Sequence, residues 1–216
     1  MDKTSDIRSS PYNRDFYDRV EKSYGNHNSL PYRKAKIIAE KVSSGHRILD
    51  IGCGSGEFLF RMKDKFDYLF GVDSSPSAIE WAKQKNREFK NIQFFEGDID
   101  KCKFKDDFFD CCLCLDVLEH AKNPMEILVE IKRVLRKEGQ LVVSMPNWFD
   151  IIFTKALRLH RMHLHAHAPC GWKNMIRKAG FKVCSYRAID SLVMGNDWLA
   201  RKLPILGKGI IIFAKN

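Results

Sequence analysis

A glycine-rich turn after the first apolar run carries the strongest chemical signal in the chain. The segment ILDIGCGSGEF places Gly52, Gly54 and Gly56 between a predicted strand and a predicted helix, with Asp50 just before them. Glycine is needed where the backbone turns sharply and a ligand must approach the main chain without meeting a Cβ atom. The turn is therefore predicted to bind a ligand against its backbone.

The spacing of these glycines argues against a phosphate-binding loop. A dinucleotide fingerprint G-x-G-x-x-G would place its third glycine at position 57, where Glu57 stands. A carboxylate there would oppose a pyrophosphate at the helix N-terminus. The turn also lacks the pattern G-x-x-x-x-G-K-S/T. Asp50 suits the ammonium group of an amino acid better than it suits a phosphate.

Two further acids end the next two predicted strands. Asp73, 17 residues after Gly56, can accept hydrogen bonds from both hydroxyls of a ribose. Asp98 and the main chain of Ile99 supply an acceptor and an N–H donor that could read an adenine edge. With the glycine turn, these acids predict a pocket for a nucleoside that bears a positive charge and no phosphate.

The elements that must position these residues follow an alternating pattern. Five short apolar runs read as buried strands, at 46–51, 68–73, 91–97, 108–115 and 139–145. Amphipathic segments at 55–66, 75–89 and 123–139 read as helices between them. Parallel strands joined by right-handed helical crossovers give a doubly wound α/β sheet. Two helices are predicted within 10–43, and a helix at 170–180 precedes a hairpin-like pair of strands at 181–189 and 208–215.

Length and composition indicate one globular domain. The 216 residues are 44% hydrophobic and 30% charged, without the apolar run of about 18 residues that spans a membrane. The N-terminus lacks the apolar core of a signal peptide, so we expect a cytoplasmic protein whose seven cysteines stay reduced. Within the domain we expect an N-terminal helical cover (1–45), a cofactor-binding core (46–150) and a basic substrate-side segment with the C-terminal strands (151–216).

With these features the chain resembles the class I S-adenosylmethionine-dependent methyltransferases, of the small ubiquinone-biosynthesis-like kind (methyltransferase type 11/12). The similarity covers residues 46–187 and includes the D-x-G-x-G-x-G turn and the segments DVLEHAKNP, MPN and HLHAHAP. The resemblance implies S-adenosylmethionine as cofactor. It also implies a Rossmann-like, seven-stranded, mostly parallel sheet whose last strand is antiparallel.

The resemblance also assigns cofactor contacts to residues of this sequence. The glycine turn would hold the methionine part, the acid of the second strand the ribose, and the third strand end the adenine. The end of the fourth strand would lie near the methionine amine and the transferring methyl group. In chain order these residues are Asp50, Gly52, Cys53, Gly54, Gly56, Asp73, Ser74, Asp98, Ile99, Leu115 and Asp116.

Methyl transfer to oxygen or nitrogen requires removal of a proton, for which histidine is the usual general base near neutral pH. His120, just after the fourth predicted strand, is the candidate base. The alternative is a structural histidine held by a neighbouring backbone group or by Glu119. Asp116 is predicted to orient an amine or hydroxyl of the acceptor, or to position the cofactor alone.

Three alternating histidines, His163, His165 and His167, would project to one side of an extended segment. Lining of the acceptor pocket is favoured. Three imidazoles can also bind zinc, but ligands at successive i, i+2 positions rarely close a tetrahedron, so no metal is predicted. Tyr17 and Asn147 join His163 and His165 as predicted substrate-side residues.

The charge distribution limits what can be said about the acceptor. Residues 151–216 carry 12 Lys and Arg against 2 Asp and Glu, within a net charge of +10. Such a segment attracts anions or a membrane surface, so a small anionic or lipid-like acceptor is expected. An RNA methyltransferase is the rival enzyme hypothesis, because a basic segment also attracts RNA. The sequence contains no recognisable RNA-binding module, which argues against it. A non-catalytic S-adenosylmethionine-binding adaptor is the rival from another class, and the chain is expected to be a monomer or homodimer.

Overall fold

A computed structural model describes residues 14–27, 29–146, 164–165, 167–191 and 207–216. Seven strands are present in these ranges: β1 (Gly45–Ile51), β2 (Phe66–Asp73), β3 (Ile92–Glu96), β4 (Phe109–Leu115), β5 (Leu135–Pro146), β6 (Lys182–Ser191) and β7 (Gly207–Lys215). The α-helices are α1 (Arg14–Gly25), α2 (Leu30–Lys41), α3 (Glu57–Met62), α4 (Pro76–Lys85), α5 (Pro124–Val134) and α6 (Pro169–Lys178).

The seven strands form one sheet in the order β3-β2-β1-β4-β5-β7-β6. The pairs β1/β2, β2/β3 and β4/β5 are parallel, and β7 is antiparallel to both β5 and β6. The predicted fold class, a mostly parallel seven-stranded α/β sheet with an antiparallel last strand, is confirmed. The chain divides into two compact units, Met1–Cys102 and Lys103–Asn216, which are described in turn.

The first unit contains the predicted βα repeat from β1 to β3. Its strands bury aliphatic side chains such as Leu49 and Leu69, which are fully excluded from solvent. Helix α4 begins as predicted, because the side chain of Ser75 accepts a hydrogen bond from Ala78 N and proline occupies the first turn. The same device starts α2, where Ser29 accepts from Tyr32 N.

Arg61 of α3 connects the N-terminal helices to the rest of this unit. Its Nη2 atom donates to the main-chain oxygen of Tyr24, 2.8 Å away. The guanidinium group lies 5.5 Å from the ring centre of Tyr24 and 5.3 Å from that of Tyr32, within the range of cation–π attraction. One side chain thus joins α1 and α2 to the helix that follows the glycine turn.

The second unit begins with β4 and contains three of the seven cysteines side by side. Cys111, Cys112 and Cys114 are buried and reduced, and they pack as small apolar side chains, as predicted. The four remaining cysteines are also free thiols. No helix in the described residues is both long and apolar enough to cross a membrane.

The boundary between α5 and β5 differs from the prediction. The predicted helix at 123–139 ends at Val134, and β5 starts at Leu135 instead of 139. Leu135 pairs with Phe109 of β4, and Glu138 has a φ of +62° that lets the chain turn before it pairs again at Gln140. Strand pairing across the sequence therefore overrides the local helical periodicity.

Candidate active site

The glycine turn is fastened to the end of β2 by main-chain hydrogen bonds. The N–H groups of Gly52 and Cys53 both donate to the oxygen of Val72, at 2.8 and 3.0 Å. Gly52, Gly54 and Gly56 have φ values of +72°, +51° and +77°, a region that favours glycine. The turn therefore needs glycine at the three positions that the sequence singled out.

Asp73 holds the same turn through its side chain. Its Oδ2 atom accepts from Gly54 N at 2.8 Å, and its Oδ1 atom accepts from Ser75 N at 2.9 Å. Burial raises the pKa of Asp73 above its usual value, and the two main-chain donors oppose this increase. A carboxylate oxygen keeps further lone pairs after one hydrogen bond, so both oxygens can still accept a hydroxyl.

Asp50 is the most perturbed acid of the turn. The residue is 3% exposed, and its Oδ1 atom has no hydrogen-bond partner among the described residues. Burial, and then the nearby charge of Asp73, raise the pKa of Asp50 from 3.8 to about 8. A buried acceptor without a donor costs folding free energy, so a ligand that supplies a cation or a hydrogen-bond donor to this oxygen would bind favourably.

Phe94 of β3 makes a contact with this turn that the sequence analysis missed. A Cβ atom on Gly56 would lie 2.6 Å from Phe94 Cζ, and one on Gly71 would lie 2.7 Å from Phe94 Cδ1. Gly71 also faces the sulfur of Cys53, which would be 2.8 Å from such a Cβ atom. A glycine inside a predicted strand was the available signal for this close packing.

The other predicted cofactor residues of the first unit differ in exposure. Cys53 and Ile99 are buried, and burial raises the pKa of the Cys53 thiol well above its usual value. Ser74 is exposed. The carboxylate of Asp98 is also exposed and pairs with Lys101 Nζ at 2.6 Å. The main-chain oxygen of Asp98 accepts from Lys101 N, which begins a short 3-10 turn.

In the second unit, β4 ends at Leu115 and passes into an unusual backbone at Asp116. Asp116 has a φ of +56°, which non-glycine residues adopt uncommonly and which often marks functional positions. The conformation is fixed from both sides: Asp116 N donates to Ser144 O at 2.8 Å, and Ser144 Oγ donates to Asp116 Oδ1 at 3.2 Å. Ser144, which is fully buried, is a second residue that the sequence analysis did not identify.

The turn after Asp116 carries Glu119 and His120. Glu119 is 1% exposed, whereas the side chain of His120 is 34% exposed, and Glu119 Oε1 lies 3.9 Å from His120 Nε2. The main-chain oxygen of Glu119 accepts from Leu164 N at 2.7 Å and from His165 N at 3.1 Å. The structure thus brings the histidine segment against the turn that carries the predicted base, and nothing in the sequence signalled this contact.

The two described members of the histidine triplet stack on one another. The ring centres of His165 and His167 are 6.0 Å apart with planes 17° from parallel, and the perpendicular rings of His167 and Trp172 have centres 4.9 Å apart. Burial, together with the neighbouring His165, lowers the pKa of His167. Within 14–146 and the later described ranges, no three histidine, cysteine or acidic residues cluster as metal ligands.

Three predicted substrate-side residues cannot be placed. Asn147 and His163 lie outside the described residues. Tyr17 falls in α1, but its side chain is outside the description as well.

A family model for a methyltransferase domain matches residues 42–195, which is more than half of the chain. The chain belongs to this family. Together with the seven-stranded sheet, the match confirms the predicted class, the S-adenosylmethionine-dependent methyltransferases of class I, whose cofactor is S-adenosylmethionine.

Individual relatives are more distant. The malonyl-acyl-carrier-protein O-methyltransferase of Paenibacillus sp. (strain JDR-2) is 27% identical over 167 residues, which cover 68% of this chain and 60% of the relative. The tRNA U34 carboxymethyltransferase of Sulfurimonas denitrificans is 35% identical over 100 residues, 45% of this chain and 34% of the relative.

Solved structures agree with the fold. The crystal structure of an S-adenosylmethionine-dependent methyltransferase from Mesorhizobium loti matches with a TM-score of 0.68 and 16% identity, over 86% of this chain and 97% of that one. The chain spans between 34% and 63% of the length of eight curated relatives that it matches.

Proposed function

We propose that this protein transfers the methyl group of S-adenosylmethionine to an oxygen or nitrogen atom of a small, anionic or lipid-like acceptor. The observation that carries the proposal is the buried Asp50 oxygen without a partner, beside a glycine turn that Asp73 holds in place. A buried acceptor beside a turn with three glycines, which lack Cβ atoms, fits a ligand that brings an ammonium donor close to the main chain.

The residues of the first unit fit the cofactor in three places. Asp50 would accept from the ammonium group of the methionine part, and the glycine turn would admit that part against its backbone. Asp73, oriented by Gly54 N and Ser75 N, would accept the ribose hydroxyls. When bound, the cofactor supplies a methyl group on a sulfonium that is already activated for displacement. The chain therefore needs only to align the acceptor, exclude water and remove a proton.

His120 is our candidate for removal of that proton. Its ring is partly exposed at the end of β4, so an acceptor can reach it, and the buried Glu119 lies beside it. A positioned histidine contributes about 10²–10⁴-fold to such a step. Asp116 would orient the acceptor, because Ser144 and the strained backbone fix its carboxylate. We assign Tyr17, Asn147, His163 and His165 to the acceptor side.

The acceptor class rests on charge and on one relative. A net charge of +10, with its excess in 151–216, favours an anionic acceptor. One relative is, by its name, a malonyl-acyl-carrier-protein O-methyltransferase, and an acceptor of that kind supports the proposal. RNA is the second candidate, because the same excess of base attracts phosphates and another relative is named for tRNA.

The deciding experiment is an assay of S-adenosylhomocysteine release with fractionated cell extract as acceptor. Small-molecule, lipid and RNA fractions are tested separately. We expect turnover with the small-molecule or lipid fraction. Turnover confined to RNA would replace the proposed acceptor, and calorimetric binding of the cofactor without release in any fraction would favour a non-catalytic adaptor.

Substitutions separate binding from transfer. We expect Asp73→Ala to weaken cofactor binding about tenfold or more, because the ribose and Gly54 N both lose an acceptor. We expect His120→Ala to leave cofactor binding unchanged and to lower kcat about 10²-fold. His46→Ala is the matched control, since His46 is an exposed histidine paired with Asp67. Unchanged turnover in His120→Ala would remove His120 from the mechanism.

A further inference from the structure

The strand β3 lies at one end of the sheet order and has one neighbour, β2, among the described strands. The main-chain oxygen of Asn91 accepts from Leu69 N, and Gly97 N donates to Asp73 O. Residues of one strand alternate in the direction of their N–H and C=O groups, so the odd-numbered positions of β3 face β2. The main-chain groups of Ile92, Phe94 and Glu96 therefore face the open edge.

Among the described residues, this edge lacks most of the features that usually prevent strand addition, and its one charged residue is Glu96, at the end of β3. The segment IQFFE contains no proline and no lysine, and its register with β2 runs without a shift. The other end strand, β6, differs in both respects: it carries Lys182, and its pairing with β7 shifts between Val183 and Ser185. The comparison identifies β3 as the edge that is open to a further strand.

A groove runs beside this edge. It has a volume of about 410 Å³ and is lined by Lys83, Asn86, Arg87, Phe89 and residues 92–95. We call it the β3 groove. Phe89 is 36% exposed although it is a large apolar residue, and Phe95 is partly exposed. The apolar part of the groove thus matches a large apolar side chain of an occupant.

The polar groups of the β3 groove specify the rest of the occupant. Its charged lining residues, Lys83 and Arg87, are both cations, one turn apart along the chain and both exposed. Asn86 is 4% exposed, and its Oδ1 atom has no hydrogen-bond partner among the described residues, while its Nδ2 atom donates to Ala82 O. The groove therefore offers two positive charges and a buried acceptor.

We propose that the open edge of β3 and the β3 groove bind an extended, acidic peptide segment of a partner protein by strand addition. The main-chain groups of Ile92, Phe94 and Glu96 would pair with the segment. One apolar side chain would enter the groove, and carboxylates on the segment would face Lys83 and Arg87. A second copy of this chain fits less well, because it would bring its own Lys83 and Arg87 to the same edge.

The first test uses two synthetic peptides of seven residues. Both place phenylalanine at position four and threonine at the odd positions, and they carry either glutamate or lysine at positions two and six, so that the charges share the face of the phenylalanine. We expect the acidic peptide to bind at least about tenfold more tightly than the basic one in calorimetry at 50 mM salt. Equal binding, or no binding of the acidic peptide at about 1 mM, would overturn the proposal.

Charge reversal gives a matched pair of variants. We expect K83E with R87E to weaken binding of the acidic peptide about tenfold or more, because two attractions become repulsions. K105E with K137E changes the net charge equally at two exposed positions of the second unit and should leave the affinity within about twofold. If both double variants lost the same affinity for the acidic peptide, the effect would come from overall charge, which would contradict the proposed site.

Hydrogen exchange tests the strand geometry independently of affinity. On addition of the acidic peptide, the amides of Ile92, Phe94 and Glu96 should gain protection, whereas those of Gln93 and Phe95 already face β2. Binding without new protection at the three outward amides would exclude strand addition. The same protection at rising protein concentration without peptide, with dimers in sedimentation, would identify a second copy as the occupant. None of these measurements depends on methyl transfer.

Discussion

Asp50 is a carboxyl group in a place where ionisation is costly. The residue is buried, and the charge of Asp73 adds to the effect of burial, so that its pKa is about 8. In the unfolded chain the group titrates near 3.8. Between these two values the unfolded state has released a proton that the folded state retains, and folding stability therefore falls as pH rises.

This difference makes Asp50→Asn a stability experiment as well as a binding one. The asparagine does not titrate, so the variant should gain stability relative to the natural protein as pH rises from 5 to 8, on the order of 1 kcal/mol per pH unit. Urea unfolding at pH 5, 6, 7 and 8 measures the change. Asp64→Asn is the control, because Asp64 is exposed and pairs with Lys63 at the surface. Parallel stability curves for Asp50→Asn and the natural protein would contradict the assignment.

Residue types and spacing predicted which residues form the glycine turn, but not what holds them. Asp73 was identified from its position at a strand end, and the structure adds that it accepts from Gly54 N. That contact joins residues 19 positions apart and depends on how β1 and β2 align, which no local pattern encodes. The hydrogen bond that His165 N donates to Glu119 O joins residues even further apart in the sequence, and no local pattern predicted it either.

At the scale of elements, the start of α3 depends on a single glycine. Gly56 has a φ of +77°, and any Cβ atom there would meet the ring of Phe94 at 2.6 Å. Gly56→Ala combines a strained backbone with this clash, so we expect a loss of about 2 kcal/mol or more in unfolding free energy and weaker cofactor binding. Urea unfolding and cofactor calorimetry measure both losses.

Two further variants separate the contributions. Adding Phe94→Leu to Gly56→Ala should recover the part of the loss due to the clash and leave the part due to the positive φ. Gly25→Ala is the control, because a Cβ atom on Gly25 would meet nothing within 4 Å. A neutral Gly56→Ala would show that the turn tolerates a side chain.

The strands and most helices were predictable because their apolar periodicity matches their burial. The transition from α5 to β5 was not predictable, since residues 135–138 continue the helical pattern in sequence while Leu135 pairs with Phe109 in the sheet. The side chain of Asn216, which bonds to the main-chain oxygens of Lys132 and Leu135, supports this early end of the helix from the far end of the chain.

For the whole molecule, net charge predicts a response to salt that depends on the acceptor. A small or lipid-like acceptor involves few ion contacts, so we expect its transfer rate to change by less than about threefold between 50 and 200 mM salt. An RNA acceptor that makes 6–10 phosphate contacts would lose about 10³–10⁵ in affinity over the same range. Initial rates at subsaturating acceptor distinguish the two, and a steep salt dependence would contradict our proposal.

The fold and the cofactor half of the site were thus more accessible to sequence reasoning than the acceptor half. The predicted cofactor residues follow strands whose positions the structure confirms, so type and spacing suffice to propose them, and their roles remain predictions. The predicted acceptor residues include Asn147 and His163, which lie outside the described residues, and the basic composition of 151–163 specifies no element. The single domain that we predicted from length remains a prediction beside the two compact units.

Phe94 belongs both to the β3 groove and to the packing around the glycine turn. Phe94 is one of the residues that line the β3 groove, and the edge of its ring closes over Gly56 and Gly71. A molecule that binds in the β3 groove and shifts this ring would change the space at the glycine turn, and so the binding free energy of a ligand there. A ligand at the glycine turn would change the binding free energy in the groove by the same amount. Occupancy of the outer edge and affinity for the methyl donor should consequently be coupled, in either sign.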